Sequence, residues 1–264
     1  MDGIPFLLDE RAHRFGMEKW VSIEYDISPH VLWSGRTRSG KSVAAKLLLA
    51  RTILLGPPEI QPVELTVIDP KEDIDFDYLE NLPRFYRGDE APQGFADFFD
   101  TFNRRRYKQD LSKHLKILFV DEFTSLINLI ADKKDKEAAQ RSLNLLLTLS
   151  ASRRFSIQMA TQVPSAKIFG ETGSASREQF GAVCLLGDSD GTETQSMLFD
   201  AKSRKIISDF GEIGGRAAGW LSINSGIAQP IRVPTVSNMD KLNAVIYNNL
   251  AGKNITGAGG VAKP

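Results

Sequence analysis

The chain has 264 residues, 42% of them hydrophobic, enough for one large α/β domain with an ample core. Its 33 basic and 33 acidic residues cancel, so no global field recruits nucleic acid or an anionic membrane, which excludes a histone-like binder and leaves only local basic surfaces. The single cysteine, Cys184, sits in the apolar run Ala182 to Leu186, so a disulfide within the chain is excluded and a buried small hydrophobe is expected there. No stretch is long and apolar enough to span a bilayer, and the N-terminus lacks a signal peptide's basic and apolar regions, so the expectation is a soluble, cytoplasmic protein.

Residues 1 to 20 mix Phe6-Leu7-Leu8 with charges and Trp20, which suggests a short N-terminal helix or arm packed on the main domain. Val21 to Tyr25 alternates as a half-buried strand does, and Ser28-Pro29-His30 turns the chain onward, with His30 read as a turn residue. Val31-Leu32-Trp33 is a short apolar run suited to a covered parallel strand. It leads into Gly35-Arg36-Thr37-Arg38-Ser39-Gly40-Lys41-Ser42, which fits G-x-x-x-x-G-K-[ST], the phosphate-binding P-loop. Ser42 to Leu55 is rich in Ala, Leu and Lys and stops at Gly56-Pro57-Pro58, as a helix does. Strand, loop and helix are the context the motif needs, because backbone N–H groups at a helix N-terminus must wrap a phosphate. Gly35 and Gly40 would permit the close backbone approach, Lys41 would place a cation on the β and γ phosphates, and the Ser42 hydroxyl would hold Mg²⁺.

Val63 to Ile68 reads as a second strand, and Asp69-Pro70-Lys71 ends it. Asp69 and Lys71 therefore stand at a strand's carboxyl end, either as a capped turn or as part of a site. Phe95, Phe98, Phe99 and Phe102 recur at helical spacing and predict an amphipathic helix with an aromatic core stripe. Arg104-Arg105-Arg106 continues it as a solvated face, or as one that meets phosphate or a neighbouring subunit.

Lys116 to Val120 is a buried strand with Asp121-Glu122 at its end, the form of a Walker B motif. Asp121 would bond to water in the Mg²⁺ shell and Glu122 would polarise the water that attacks the γ-phosphate. A glutamate beside the aspartate points to ATP hydrolysis, with ATP and Mg²⁺ as cofactors. Thr124 to Ala131 and Glu137 to Ser152 read as helices separated by a charged loop, Asp132 to Lys136. Ser156 to Thr161 is a further strand, and it delivers Gln162 to the edge that carries Lys41 and Glu122, where a polar side chain can sense the γ-phosphate or orient water. Ala182 to Leu186 is another strand, and Trp220 to Ile223 with Gln229 to Val233 forms a closing β-hairpin. The expected organisation is an arm over residues 1–20, a domain over 21–248 and a flexible tail over 249–264.

Pro29 to Ser42, Val67-Ile68-Asp69-Pro70-Lys71, Phe119 to Phe123 and Ala160-Thr161-Gln162-Val163-Pro164-Ser165 together resemble the FtsK/SpoIIIE DNA translocase motor and the wider FtsK–HerA group, including conjugative coupling proteins. Gly215-Arg216 before Trp220, and Pro230 to Val233, are similar to the end of that motor core. The resemblance implies a RecA-like P-loop NTPase of the α/β class: a mainly parallel sheet flanked by helices with the terminal hairpin. It implies a homo-oligomeric, usually hexameric ring around double-stranded DNA, with an arginine of the next subunit reaching the γ-phosphate. Arg153 and Arg154 are the candidates for that arginine, or else ordinary helix-end cations. Lys167 and Arg177 are the candidate pore-loop contacts to DNA.

The sequence departs from the family pattern in a short Arg153 to Gln162 segment, in Val163 where an arginine is common, and in having no counterpart of the membrane-spanning and winged-helix parts of cell-division FtsK. The expectation is therefore an ATP-driven DNA translocase of a plasmid, integrative element or phage, partnered by a relaxase or a membrane channel protein. The alternatives are an ATPase for secretion or packaging, and a nucleotide-dependent adaptor that does not move along DNA.

Overall fold

A computed structural model of the chain describes residues 3–25, 29–165, 168–170, 178–187, 192–211, 213 and 217–253. Its centre is a ten-stranded sheet of order β2-β1-β10-β9-β8-β3-β7-β6-β4-β5. The strands are β1 (Ile4–Asp9), β2 (Trp20–Ile23), β3 (Val31–Gly35), β4 (Glu64–Asp69), β5 (Phe85–Arg87), β6 (Lys116–Val120), β7 (Phe155–Thr161), β8 (Ala182–Leu186), β9 (Ala218–Ile223) and β10 (Gln229–Arg232). Every neighbouring pair from β8 through β3, β7, β6 and β4 to β5 is parallel. The pairs β8–β9, β9–β10, β10–β1 and β1–β2 are antiparallel. This is a mostly parallel sheet flanked by helices, with the expected terminal hairpin formed by β9 and β10.

The helices are α1 (Glu10–Arg14), α2 (Lys41–Leu55), α3 (Ala91–Arg106), α4 (Phe123–Leu129), α5 (Lys133–Leu149), α6 (Thr192–Leu198), α7 (Ala201–Phe210) and α8 (Met239–Leu250). Alternation along each strand divides the core between the two faces. In β3, Val31 and Trp33 pack with α2 and α8, while Leu32 faces the cluster built by α3, α4 and α5. Every residue of β3, β6 and β7 is buried, because both of their faces are covered. The α3 phenylalanines are core: Phe98 and Phe102 each set an edge against the Phe155 ring at 5.5 Å.

The structure departs from the sequence reading in several places. Residues 1–20 hold a short helix, α1, as expected, but Ile4–Asp9 before it is a strand within the sheet, paired on both sides, instead of an arm. Glu10, almost fully buried, fastens it to β10 by accepting from Arg232 Nε at 2.6 Å and Nη2 at 3.1 Å. The charged stretch after Asp132 is the first turn of α5, because the Asp132 carboxylate caps the helix by accepting from Lys134 N at 2.7 Å and Asp135 N at 3.2 Å. Arg105 is buried, where a solvated face was expected: it donates to Asp110, Ser112 and the carbonyls of His114 and Arg153, and its guanidinium lies 4.7 Å from the Phe155 ring centroid. Residues 249–253, expected in the tail, are the last turn of α8 and its cap, whereas 254–264 lie outside the described residues.

His30 is buried beside β3, and its Nδ1 accepts from Ile157 N at 3.1 Å. Burial holds its pKa down at about 4, so the ring is a neutral tie between strands. Cys184 is free and fully buried, with its thiol pushed far up by burial.

Candidate functional site

The carboxyl ends of β3, β4, β6 and β7 lie side by side, and the parallel register brings four chain-distant turns to one edge. At β3, Gly35 adopts φ 143°, and a Cβ there would fall 2.3 Å from the Leu186 carbonyl oxygen and 2.8 Å from Ser39 Oγ. Gly40, in the left-handed region, starts α2, so the helix's first N–H groups open toward the loop. Arg36, Thr37 and Arg38 are exposed, Ser39 is buried, and Ser42 follows in the first turn of α2. Lys41 Nζ arches back over the loop and donates to the carbonyls of Gly35 at 2.7 Å and Arg36 at 2.9 Å. Burial lowers its pKa, Glu122 and Asp121 act against that, and the like charge of Lys71 adds to it. Lys41 therefore feels the charges of the other three groups.

Asp121 continues β6, its N–H bonded to the Ile68 carbonyl of β4 at 2.9 Å. The next residue, Glu122, takes φ 73°, turning the chain out of the strand and into α4. That turn aims the glutamate at β7. Glu122 Oε1 accepts from Thr161 Oγ1 at 3.1 Å, Oε2 accepts from the Gln162 backbone N–H at 3.1 Å, and Oε2 also accepts from Lys71 Nζ at 3.1 Å.

A second carboxylate, Asp69, ends β4 with no exposed surface. It organises the Asp-Pro-Lys turn by accepting from Lys71 N at 3.3 Å and Asp73 N at 2.8 Å, with Arg87 Nε 3.5 Å away. Burial raises the pKa of Asp69 to about 6 against the pull of these donors. Asp121 is likewise raised to about 6, first by burial, then by Asp69 and Asp73, against Lys71 and Lys41.

A carboxylate whose pKa is raised by burial, and further by Asp69 and Asp73, is short of positive charge, and Asp121 with the Ser42 hydroxyl supplies hard oxygen donors of the kind Mg²⁺ takes. Mg²⁺ usually completes such a shell with water and substrate phosphates. The residues fit a magnesium nucleotide.

Of the residues expected at the site, Gly35 to Ser42, Asp121, Glu122 and the backbone of Gln162 meet here. The Gln162 side chain is exposed, and it is the main-chain N–H that reaches Glu122. Arg153 and Arg154 precede β7 at the opposite edge of the sheet, the full length of a seven-residue strand away. There Arg153 donates to the Leu149 carbonyl at 2.8 Å and Arg154 to the Lys113 carbonyl at 3.1 Å. Lys167, Arg177, Gly215 and Arg216 lie outside the described residues. Sequence reasoning missed Thr161, Asp73 and Arg87, and it named Lys71 without its partner Glu122.

The sequence profile of the FtsK/SpoIIIE family matches residues 7–101. No curated protein sequence matches the chain. Among solved structures, the conjugation coupling protein TcpA of pCW3, in monomer form with ATPγS, superposes with TM-score 0.65 at 14% identity, over 93% of this chain and 70% of that one. The cytoplasmic domain of the type VII secretion ATPase EccC of Thermomonospora curvata gives TM-score 0.61 at 16% identity, over 89% of this chain and 26% of that one. VirB4 of Thermoanaerobacter pseudethanolicus gives 0.60 at 11% identity, over 90% of this chain and 98% of that one. The chain thus spans only a quarter of the EccC chain. By the match over residues 7–101 the chain is similar to the FtsK/SpoIIIE family, and a fold that carries the P-loop and the Asp-Glu pair to one sheet edge is that of a P-loop ATPase.

Proposed function

We propose that this ATPase is a ring-forming motor that translocates double-stranded DNA in the service of a mobile element. The observation that supports the catalytic part is that β3, β7 and β6 end side by side, which brings the loop carrying Lys41 and the Asp121-Glu122 pair to one sheet edge. In this reading Lys41 and the α2 N-terminus bind the β and γ phosphates, and Ser42 and Asp121 hold Mg²⁺, which when bound neutralises charge on the phosphates. Glu122 orients and deprotonates the attacking water, with the Gln162 N–H and Thr161 hydroxyl fixing its carboxylate. Arg153 and Arg154 lie on the far edge, so they would serve only a neighbouring subunit's site, the arrangement a hexameric ring provides. The likeness to a conjugation coupling protein over most of both chains supports DNA as the cargo, with Lys167 and Arg177 as candidate contacts and a relaxase or channel protein as recruiting partner.

A second reading, a motor for protein secretion, is favoured by the likeness to EccC. ATP turnover measured with and without linear duplex DNA, at low and moderate salt, separates the two. Strong, salt-sensitive stimulation supports DNA translocation, because phosphate contacts are weakened by salt. Turnover indifferent to DNA would count against it and favour the secretion motor or the non-translocating adaptor.

A further inference from the structure

The charges of the chain cancel overall but not locally. From residue 104 to residue 116 there are six Lys or Arg against one carboxylate, Asp110, and Arg105 takes that carboxylate at 3.1 Å. The same Arg105 donates to the His114 carbonyl at 2.8 Å and the Arg153 carbonyl at 2.9 Å, and Arg154 donates to the Lys113 carbonyl at 3.1 Å. Arg104, Arg106, Lys108 and Lys113 are thereby stapled to Arg153 and Arg154 in one basic surface, at the edge where β6 and β7 begin. Two large apolar side chains stand out of it, Tyr107 at 64% exposure and Leu111 at 80%. Exposed apolar groups rimmed by charge are the makings of a protein contact.

The opposite edge carries the converse. From residue 69 to residue 80 there are six carboxylates against one cation, Lys71. Asp69 is buried, Asp73 caps the following turn and Asp77 is bonded to Arg87 at 2.7 Å. Glu72, Asp75 and Glu80 are left exposed around Ile74, itself 79% exposed. The two patches stand at opposite ends of the strands, at least about 16 Å apart for a five-residue strand, and so cannot meet within one chain. Building on the ring reading, we infer that they meet between chains: the 104–113 surface of one copy docks on the 69–80 segment of the next, with Tyr107 and Leu111 packed on Ile74. Because the two patches differ, the contact is head-to-tail, the kind that closes into a ring or runs on as a filament. It also sets the arginines of one copy beside a segment whose Lys71 touches Glu122 at 3.1 Å, so assembly reaches the neighbour's cleft.

The test is sedimentation velocity with Mg²⁺ and ATPγS at about 0.1 M and about 1 M salt, with thermal melting and DNA binding measured alongside. Wild type is compared with Lys108→Glu/Lys113→Glu, with Asp75→Lys/Glu80→Lys and with the chain carrying all four changes. Wild type associates at low salt and more weakly at high salt. Each double reversal sets like charges together and weakens association at least about tenfold, whereas the fourfold swap, or an equimolar mixture of the two doubles, restores it to within about threefold. Leu111→Ser, at a site too exposed to matter to the fold, weakens association as well. Folded doubles that associate as wild type does, or a folded fourfold chain as weak as the doubles, overturn this contact and leave the ring reading standing. A 108/113 double that loses DNA binding but keeps assembly overturns it too, and gives the basic surface to nucleic acid. A wild type that stays monomeric at low salt overturns both the contact and the ring.

Discussion

Replacing Asp121 with asparagine should stabilise the protein while abolishing its chemistry. Asp121 is 7% exposed and its pKa is raised from 3.8 to about 6, chiefly by burial and then by Asp69 and Asp73. A carboxylate raised in the folded state binds its proton more tightly there than in the unfolded chain. Below about pH 4 both states hold the proton and the group costs nothing. As pH rises through 4 to about 6, the unfolded chain gives up its proton first and stability falls; above that the full penalty remains. The shift corresponds to about 2–3 kcal/mol, at about 1.4 kcal/mol per pH unit. Asparagine keeps the shape and removes the charge, so at pH 7.5, without nucleotide or Mg²⁺, Asp121→Asn should melt about 4–12 °C higher than wild type, given a response of about 2–4 °C per kcal/mol for chains of this size. Its melting temperature should also fall less than that of wild type between pH 5 and pH 7. Differential scanning calorimetry in EDTA reads both effects. A variant that melts at or below the wild-type temperature across that range would refute the view of Asp121 as a buried carboxylate short of positive charge.

Three further substitutions probe separate parts of the structure. Gly35→Ala would drive a Cβ into the Leu186 carbonyl at a φ that side chains avoid, so it should lower stability by at least about 2 kcal/mol and weaken ATP binding; a wild-type melt with wild-type affinity contradicts the loop geometry. Lys41→Ala should weaken ATP binding tenfold or more in a nucleotide titration, and retained affinity would count against the phosphate cradle. Arg105→Ala should cost about 2–4 kcal/mol in denaturant unfolding, because it strands Asp110 and two carbonyls, yet leave ATP affinity unchanged at low temperature, since Arg105 sits at the sheet edge away from the cleft.

The parts of the fold that local chemistry dictates were legible in the sequence. The apolar runs at Val31, Lys116 and Ser156 became parallel strands, and the glycine pair around Lys41 became a loop feeding a helix. What escaped was set by tertiary context. Ile4–Asp9 carries a proline and charged neighbours, and only pairing with β2 and β10 makes it a strand. Phe85–Arg87 is three residues long, too short to show a period. Arg105 looks like its exposed neighbours Arg104 and Arg106, and it is buried because a helix turns one residue in three or four toward the core.

The site shows the same division. Motif spacing located Lys41, Asp121 and Glu122. The grip on Glu122 joins residues 71, 122, 161 and 162 from three strand ends, and that juxtaposition exists only once the sheet order β7-β6-β4 is known. The placement of Arg153 and Arg154 on the far edge likewise follows from strand direction and not from their distance in sequence to Gln162.

The most direct measurement is ATP hydrolysis by purified wild type and Glu122→Gln in Mg²⁺, with nucleotide affinity determined for both. The account predicts that wild type turns over ATP, and that the variant binds ATP comparably but hydrolyses it about 10²- to 10⁴-fold more slowly. Equal rates in the two proteins would show that the carboxylate held by Lys71, Thr161 and Gln162 is not the base, and the assignment of this cleft as a hydrolytic centre would be wrong.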